Sequence, residues 1–339
     1  MMRELVTIDG SQGEGGGQIL RTSLSLSAIR GQPFRLENIR AGREKPGLKR
    51  QHLTCIKAVA EICNARYSEI DVGSSELEFI PGEIKAGSYR FDVGTAGSVT
   101  LVAQTVIPVL LKADAPSTVV ITGGTHVPHA PIWEFFEKCY LPELSRMGVR
   151  IEAEMVQPGF YPAAGGVVKL KVWPLRPEAQ AEAYELTDLG AYKGGSVVGV
   201  VSNLPRSIAE AETGIVGGQL CDLELKREVR EVDSFGPGNY CYVRLNFEKG
   251  VVVLSSVGTH ERSRKAVAND VVHAVHDFLK SRKACEKHLA DQLLVPLWEF
   301  YEPFWDPECE CLEYEWTLDV QKETLHYRTN QDIIRAMIY

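Results

Sequence analysis

A run of glycines near the start of the chain is the first feature that could do chemistry. Residues 10–17 read Gly-Ser-Gln-Gly-Glu-Gly-Gly-Gly, between a predicted strand and a predicted helix. Glycines let the backbone approach a ligand closely, and the amides at the start of the following helix attract anions. Glu14 would repel a phosphate there, but a divalent cation that bridges the two resolves the conflict. The pattern matches neither a dinucleotide fingerprint nor a P-loop. A plain turn that caps a helix is an equally good interpretation.

A second cluster, within residues 40–50, is cationic and holds three Arg and two Lys. Guanidinium and ammonium groups spread over a loop and a helix start are suited to bind phosphate. A solvated charged surface is the usual explanation of such a run. Arg21 lies one helical turn beyond the glycine run and can join the same patch, which favours the phosphate-binding interpretation.

The histidines and cysteines do not form a known catalytic or metal-binding pattern by themselves. No H-E-x-x-H or G-x-S-x-G motif occurs, and the pair Cys309 and Cys311 has no second pair to complete a zinc site. A single histidine is more often a surface or core residue than a catalytic one. The residues alone predict a two-domain α/β enzyme that handles phosphate.

The elements that must position these residues are predicted to repeat. The order strand, glycine turn, helix, strand, helix and strands occurs over 4–82 and recurs from residue 89, where it is followed as far as a helix at 132–147, with Asp9 and Asp92 at matching strand ends. A third copy is indicated by the similarity of residues 103–108 to residues 291–296, which aligns Gln104 with Gln292. A different α/β stretch, residues 182–278, separates the second and third copies. We therefore predict a main domain of residues 1–181 and 279–339 with a small inserted domain.

Composition excludes several classes of protein. The 339 residues carry a formal net charge of −8, so bulk electrostatics would not hold this chain on nucleic acid. Residues 299–319 contain eight acidic residues and no Lys or Arg, and the rest of the chain is neutral. The acidity is therefore confined to one segment, and a nucleic-acid role through a local basic surface stays possible. No apolar run is long enough to span a membrane and no signal peptide is present, which favours a cytoplasmic protein, or a nuclear one in a eukaryote.

Four segments resemble the RNA 3′-terminal phosphate cyclase family. They are residues 8–21, residues 39–52, the Gly-Gly-Thr turn at 123–125, and residues 288–292. The resemblance implies an α/β (α+β) fold. Its parts would be three repeated α/β units that resemble the C-terminal domain of translation initiation factor three, and an inserted domain of thioredoxin-like topology. In one family motif, Ala164 stands where a glycine is usual.

The resemblance also implies a reaction. A histidine attacks the α-phosphorus of ATP and is adenylylated, AMP passes to an RNA 3′-phosphate, and the vicinal 2′-hydroxyl closes a 2′,3′-cyclic phosphodiester. Residues 325–330 match the family's nucleophile motif, so His326 is the expected nucleophile, and Glu14 matches the acid that binds a divalent cation, Mg or Mn. The phosphate and RNA side is expected at Arg21, Arg40, Arg43, Gln51 and His52. The ATP pocket is expected at Gln104, Pro131, His288, Asp291 and Gln292.

Two other functions have to be compared with the cyclase. A catalytically silent relative that binds RNA in ribosome biogenesis lacks the nucleophilic histidine, whereas His326 is present here. An enolpyruvyl transferase shares a related repeated fold but not the loop motifs. Both comparisons favour the cyclase, with an RNA 3′-phosphate end as its partner and no membrane.

Overall fold

A computed structural model describes residues 4–12, 16–175 and 186–301. It divides into two compact units. Within the described residues, unit 1 is drawn from Met1–Ala86, Thr105–Asp114 and Ala290–Tyr339. Unit 2 is drawn from Gly87–Gln104 and Ala115–Leu289. In the described residues, no helix combines the length and apolar character that a membrane span requires.

Unit 1 contains the first predicted copy. Its elements are β1 (Val6–Asp9), α1 (Gln18–Arg30), β2 (Phe34–Glu37), α2 (Arg50–Cys63), β3 (Arg66–Tyr67) and β4 (Leu77–Ile80). The sheet order is β1-β2-β4-β3, with β1 parallel to β2 and β4 antiparallel to both of its neighbours. Alternate residues of β2 and β4 are buried, and the rings of Phe34 and Phe79 lie 5.7 Å apart. This apolar face supports α1 and α2, the two helices that carry the predicted phosphate-binding residues.

Unit 2 contains the second copy. Its elements are β5 (Ser88–Asp92), α3 (Val99–Leu111), β6 (Ser117–Gly123), α4 (Trp133–Phe135), a π-helical turn (Phe136–Tyr140), α5 (Leu141–Arg146), β7 (Ile151–Gln157) and β8 (Gly166–Val172). The sheet order β5-β6-β8-β7 repeats that of the first copy, with the same parallel and antiparallel pairings. The residues Thr105–Leu111 of α3 belong to unit 1. The predicted duplication and the α/β fold class are confirmed.

The third sheet, also in unit 2, lies in the predicted insert. It is formed by β9 (Tyr192–Ser202), α6 (Ser207–Gln219), β10 (Lys226–Glu231), β11 (Gly238–Phe247), β12 (Val251–Val257) and α7 (Arg264–Ser281). The order β10-β9-β11-β12, with only β9 and β10 parallel, is the thioredoxin-like arrangement. Sequence reasoning did not find β10, because this exposed edge strand is almost wholly charged and has no apolar alternation. The domain boundaries at 182 and 278 stay a prediction, since unit 2 groups this sheet with the second copy.

The helix α8 (Lys287–Tyr301) ends the described part of the chain. Its first turn begins after Glu286, whose carboxylate accepts the backbone N–H groups of His288 (2.8 Å) and Leu289 (3.3 Å). Those bonds satisfy amides that have no partner inside the helix. The rest of the predicted third copy, residues 302–339, lies outside the described residues.

Candidate active site

The start of α1 is an open, positively polarised helix end. No side chain of the described residues caps it, and its first turn contains no acidic residue. A Cβ at Gly17 would lie 2.3 Å from Nε2 of His52 and 3.0 Å from Nη1 of Arg21, and one at Gly16 would lie 3.3 Å from Nη2 of Arg43. The glycines therefore let three nitrogen-bearing side chains approach the helix start, where its dipole attracts an anion.

His52 faces this helix start as a neutral donor. The residue is buried on the first turn of α2, and its Nδ1 accepts the backbone N–H of Lys49 at 3.0 Å. Nδ1 is thus an acceptor, which assigns the ring proton to Nε2, the atom nearest Gly17. Burial, with the positive charges of Arg21, Arg40 and Lys49, lowers the pKa of His52 to about 3. At neutral pH the imidazole donates a hydrogen bond without adding a charge.

Arg21 is half-buried on α1, and its Nη2 donates to Oε1 of Gln18 at 2.6 Å. Burial lowers the pKa of this guanidinium, while Cys55 and Asp291 oppose that change. Within unit 1 the charge of Asp291 on α8 therefore acts on Arg21, although the two residues are far apart in sequence.

The loop between β2 and α2 supplies further cations. Arg40 is buried with φ of +57°, and its Nη1 donates to the carbonyl oxygens of Lys45 (2.9 Å) and Gly47 (2.8 Å). Arg40 therefore shapes the loop as well as charging it. Arg43 is exposed. Burial, with the charges of Arg40, Lys45 and Arg43, lowers the pKa of Lys49, as expected where cations crowd without enough acid.

The remaining expected residues are placed as follows. Gln51 is half-buried on α2, and Gln292 is half-buried on α8 in unit 1. Unit 2 holds Gln104 on α3, half-buried, and His288, which is exposed. Pro131 lies between β6 and α4, where its carbonyl oxygen accepts the Thr100 hydroxyl at 2.8 Å.

Two expected residues, Glu14 and His326, lie outside the described residues. Within the part of the chain that the structure describes, no three or more His, Cys, Asp or Glu side chains are grouped so as to hold a metal ion. The described donors at the start of α1 are N–H groups and cations, which suit anions and do not suit a metal. They do not by themselves fit a divalent cation, so no step is derived through one.

Sequence reasoning missed a buried acid–base pair in unit 2. His126 Nε2 lies 2.9 Å from Oε2 of Glu134, and Oε1 of Glu134 accepts the Tyr240 hydroxyl at 2.6 Å. Nothing in the local sequence links Tyr240 of β11 to a loop more than a hundred residues earlier. The one available signal was a polar pair, His126 and Glu134, within an otherwise apolar stretch.

Comparison with known proteins agrees with this arrangement. A family model described as RNA 3′-terminal phosphate cyclase matches residues 12–339. A protein of that name from Koribacter versatilis (strain Ellin345) is 39% identical over 335 residues, 98% of this chain and 90% of its own length. The protein of that name from Salmonella agona (strain SL483) is 41% identical, over 87% of this chain and 85% of its own length. The one from Ralstonia nicotianae (strain ATCC BAA-1114 / GMI1000) is 43% identical, over 86% of this chain and 83% of its own length.

The family match begins inside the glycine run and covers the cationic loop and the residues that follow α8. The relatives align over most of both chains, so the likeness is not confined to one motif. The chain belongs to the RNA 3′-terminal phosphate cyclase family.

Proposed function

We propose that this chain converts an RNA 3′-terminal phosphate into a 2′,3′-cyclic phosphodiester at the expense of ATP. A nitrogen of His326 attacks the α-phosphorus of ATP, and pyrophosphate leaves. An oxygen of the RNA 3′-phosphate then attacks the phosphorus of the adenylyl group, and the histidine leaves. Finally the vicinal 2′-hydroxyl attacks the activated 3′-phosphorus, loses its proton and expels AMP.

The observation that carries the proposal is the convergence of N–H donors and cations at the start of α1. The Nε2–H of His52 and the guanidinium of Arg21 lie against Gly17, and Arg43 lies against Gly16. In this role they hold phosphate oxygens. Charge that develops on those oxygens in each attack is stabilised by donors already in place. Arg40 contributes by fixing the loop that presents Arg43.

His52 is suited to this task because it stays neutral. Three cations already surround it. A fourth positive charge would add repulsion among them in the absence of ligand, whereas a neutral donor adds a directional hydrogen bond. The low pKa of His52 also keeps it from taking up a proton at neutral pH.

The adenine nucleotide is assigned to Gln104, Pro131, His288, Asp291 and Gln292, with Gln51 on the RNA phosphate side. This assignment is supported by the match of these positions to the family's motifs and by the effect of the Asp291 charge on the pKa of Arg21. A divalent cation, Mg or Mn, is assigned to Glu14 together with the phosphate oxygens of ATP. The cytoplasm is the proposed location, or the nucleus in a eukaryote.

The deciding experiment uses ATP labelled at the α-phosphorus, with a divalent cation, followed by denaturing electrophoresis. We expect acid-labile label on the protein, which His326→Ala abolishes and His276→Ala, an exposed position on α7, leaves intact. Absence of label on the unaltered protein overturns the adenylylation step. Label that survives His326→Ala overturns the assignment of the nucleophile.

The cyclisation step has its own test. An RNA oligonucleotide ending in a 3′-phosphate should become resistant to phosphatase, while release of AMP and pyrophosphate accompanies the change. The silent RNA-binding alternative predicts binding of the same oligonucleotide without label and without resistance. Glu14→Ala should lower the rate, and an unchanged rate removes the metal role of Glu14.

A further inference from the structure

A buried polar network in unit 2 ties the loop between β6 and α4 to the inserted sheet. His126 is fully buried, and its ring is stacked on Tyr240 of β11 with centroids 4.1 Å apart. Glu134, in the first turn of α4, accepts from both residues, at 2.9 Å from His126 Nε2 and 2.6 Å from the Tyr240 hydroxyl. None of these groups has a part in the reaction proposed above.

The hydrogen bonds of this network extend to the loop that follows β6. The Thr125 hydroxyl lies 2.7 Å from His126 Nδ1 and 3.3 Å from the carbonyl oxygen of Gly159, which also accepts the backbone N–H groups of Thr125 (2.9 Å) and His126 (3.1 Å). Because a carboxylate only accepts, Nε2 of His126 is the donor in the bond to Glu134. Each oxygen of Glu134 then has one donor, so the network leaves no buried polar atom of this acid unpaired.

Glu134 is held as a carboxylate. Burial would raise the pKa of this acid, but His126 and the hydrogen bonds from His126 and Tyr240 outweigh burial and lower it. A buried carboxylate that lost one donor would keep the cost of its desolvation without the compensating bond. The geometry of the network is therefore strongly specified, and removal of the Tyr240 hydroxyl should loosen the conformation of the loop that contains His126.

The loop that the network fixes is the one that carries Pro131. At the start of the loop, His126 forms a bridge with Phe160, and at its end the carbonyl of Pro131 accepts the Thr100 hydroxyl. Between them His129 adopts φ of +62°, a conformation that surrounding structure must enforce in a non-glycine residue. Both ends of the loop are thus held by contacts within unit 2, and Glu134 connects the His126 end to Tyr240 of the inserted sheet.

We propose that His126, Glu134 and Tyr240 are positioning residues for ATP, which hold the loop 126–131 in its binding conformation and make that conformation depend on the inserted sheet. The inference rests on the proposed placement of Pro131 in the nucleotide pocket. It gives the insert a role in the reaction: β11 supplies one of the two donors that keep the loop in place.

The chain offers a matched control. Tyr242 lies two residues after Tyr240 on β11, is equally buried, and stacks against it at 6.0 Å. No bond joins its hydroxyl to Glu134 in the described residues, since the two oxygens of that acid are engaged by His126 and Tyr240. Tyr240→Phe and Tyr242→Phe therefore remove the same atom from the same strand, and only the first removes a donor to Glu134.

The test compares Tyr240→Phe, Tyr242→Phe and the unaltered protein. For Tyr240→Phe we expect the KM for ATP to rise about tenfold, with kcat and the KM for a 3′-phosphorylated oligonucleotide changed less than about twofold. Hydrogen exchange of the amides in 126–131 should accelerate several-fold. Tyr242→Phe should change neither the KM for ATP nor the exchange rates. Glu134→Gln presents an amide N–H to one of the two donors and should act like Tyr240→Phe.

Each outcome decides the proposal. Equal behaviour of Tyr240→Phe and Tyr242→Phe overturns it, as does a change confined to the KM for RNA. Faster exchange of 126–131 with an unchanged KM for ATP overturns the role in nucleotide binding. If the unaltered protein neither cyclises RNA nor forms an adenylyl adduct, the proposed function fails. In that case calorimetry measures the affinity of each variant for ATP directly. Weaker binding and faster exchange of 126–131 in Tyr240→Phe, but not in Tyr242→Phe, would still show that the network positions the loop.

Discussion

The two copies of the repeated unit share a scaffold and differ in the loop that follows their second strand. In both, an aspartate at the end of the first strand accepts the backbone N–H two residues later and a side chain from the next strand or its end. Asp9 accepts from Ser11 and Asn38, and Asp92 accepts from Gly94 and Thr122. This bond holds the ends of the two parallel strands together, where the functional loops begin.

After that common point the copies diverge. The first copy continues into a cationic loop and then into α2, whose first turn carries the buried His52, which is neutral although positive charges surround it. The second continues into a loop without Lys or Arg, whose buried His126 is bonded to the acid Glu134. The same fold thus presents a cluster of cations and N–H donors in one copy and an internally compensated loop in the other. The hydrogen bonds accepted by Asp9 and Asp92 are common to both copies, whereas the side chains that follow the second strand differ in charge.

The largest expected effect comes from a single methyl group in the first copy. Gly17→Ala places a Cβ 2.3 Å from Nε2 of His52 and 3.0 Å from Nη1 of Arg21, so both donors must shift. Because misplacement of binding groups by about 1 Å can cost about a hundredfold in rate, we expect a loss of at least that size. Cyclisation of a 3′-phosphorylated oligonucleotide measures it.

Gly42→Ala is the control for that substitution. Gly42 lies in the cationic loop of the same copy, and nothing lies within 4 Å of a Cβ built there. We expect this variant to keep nearly full activity and to unfold at the same temperature as the unaltered protein. If Gly17→Ala is folded and as active as Gly42→Ala, the start of α1 is not the phosphate site.

These positions also show what sequence could reveal. The strands, the glycine turn and the duplication were predictable because they follow from hydrophobic periodicity and turn residues, which are local. The cluster of Arg21, His52 and Arg43 could be anticipated only in part, since it depends on two helix starts meeting. The bond of Tyr240 to Glu134 could not, because it joins residues 106 apart in sequence and leaves no local pattern. The charged edge strand β10 was missed for the opposite reason: its pattern is local but is not apolar.

The second prediction concerns the neutral His52. Its folded pKa, about 3, lies below the ordinary value of 6.5, so the unfolded chain binds more protons than the folded one between these pH values. The stabilisation is complete above about pH 6.5 and is lost as the pH falls toward 3. Between pH 7 and pH 4.5 this amounts to about 2–3 kcal/mol. Urea unfolding at both pH values measures this. The free energy of unfolding of the unaltered protein should fall by about 2–3 kcal/mol more between pH 7 and pH 4.5 than that of His52→Asn.

His276→Asn, at an exposed position of α7, supplies the control and should retain the pH dependence of the unaltered protein. If the surroundings of His52 hold it neutral, replacing it must remove its contribution to the pH dependence of the free energy of unfolding. If His52→Asn and His276→Asn respond alike to pH, His52 is not held neutral among the cations. The contrast between the two copies would then have to be drawn from Arg40 and Arg43 alone.

The smallest predicted effect comes from two non-glycine residues at positive φ, one in each copy. Arg40 has φ of +57° and Ala164 has φ of +61°, a conformation that costs energy in any residue with a Cβ. Arg40 offsets the cost through its bonds to the carbonyls of Lys45 and Gly47, whereas the methyl group of Ala164 can make no such bond. Ala164→Gly should therefore stabilise the protein by about 0.5–1 kcal/mol, after the entropic cost of a glycine in the unfolded chain.

Arg40→Gly relieves the same backbone conformation and should nevertheless destabilise the protein, by about 2 kcal/mol, because it removes a charged donor from two carbonyl groups, in one buried and one part-buried bond. Urea unfolding at pH 7 should therefore give stability changes of opposite sign for the two variants. At Arg40 the strained backbone is offset by hydrogen bonds of the side chain, and at Ala164 it is not. A destabilising Ala164→Gly would mean that the alanine methyl group packs in a way that its φ does not reveal. A stabilising Arg40→Gly would mean that the guanidinium is held for ligand binding alone, and that the cationic loop of the first copy keeps its shape without it.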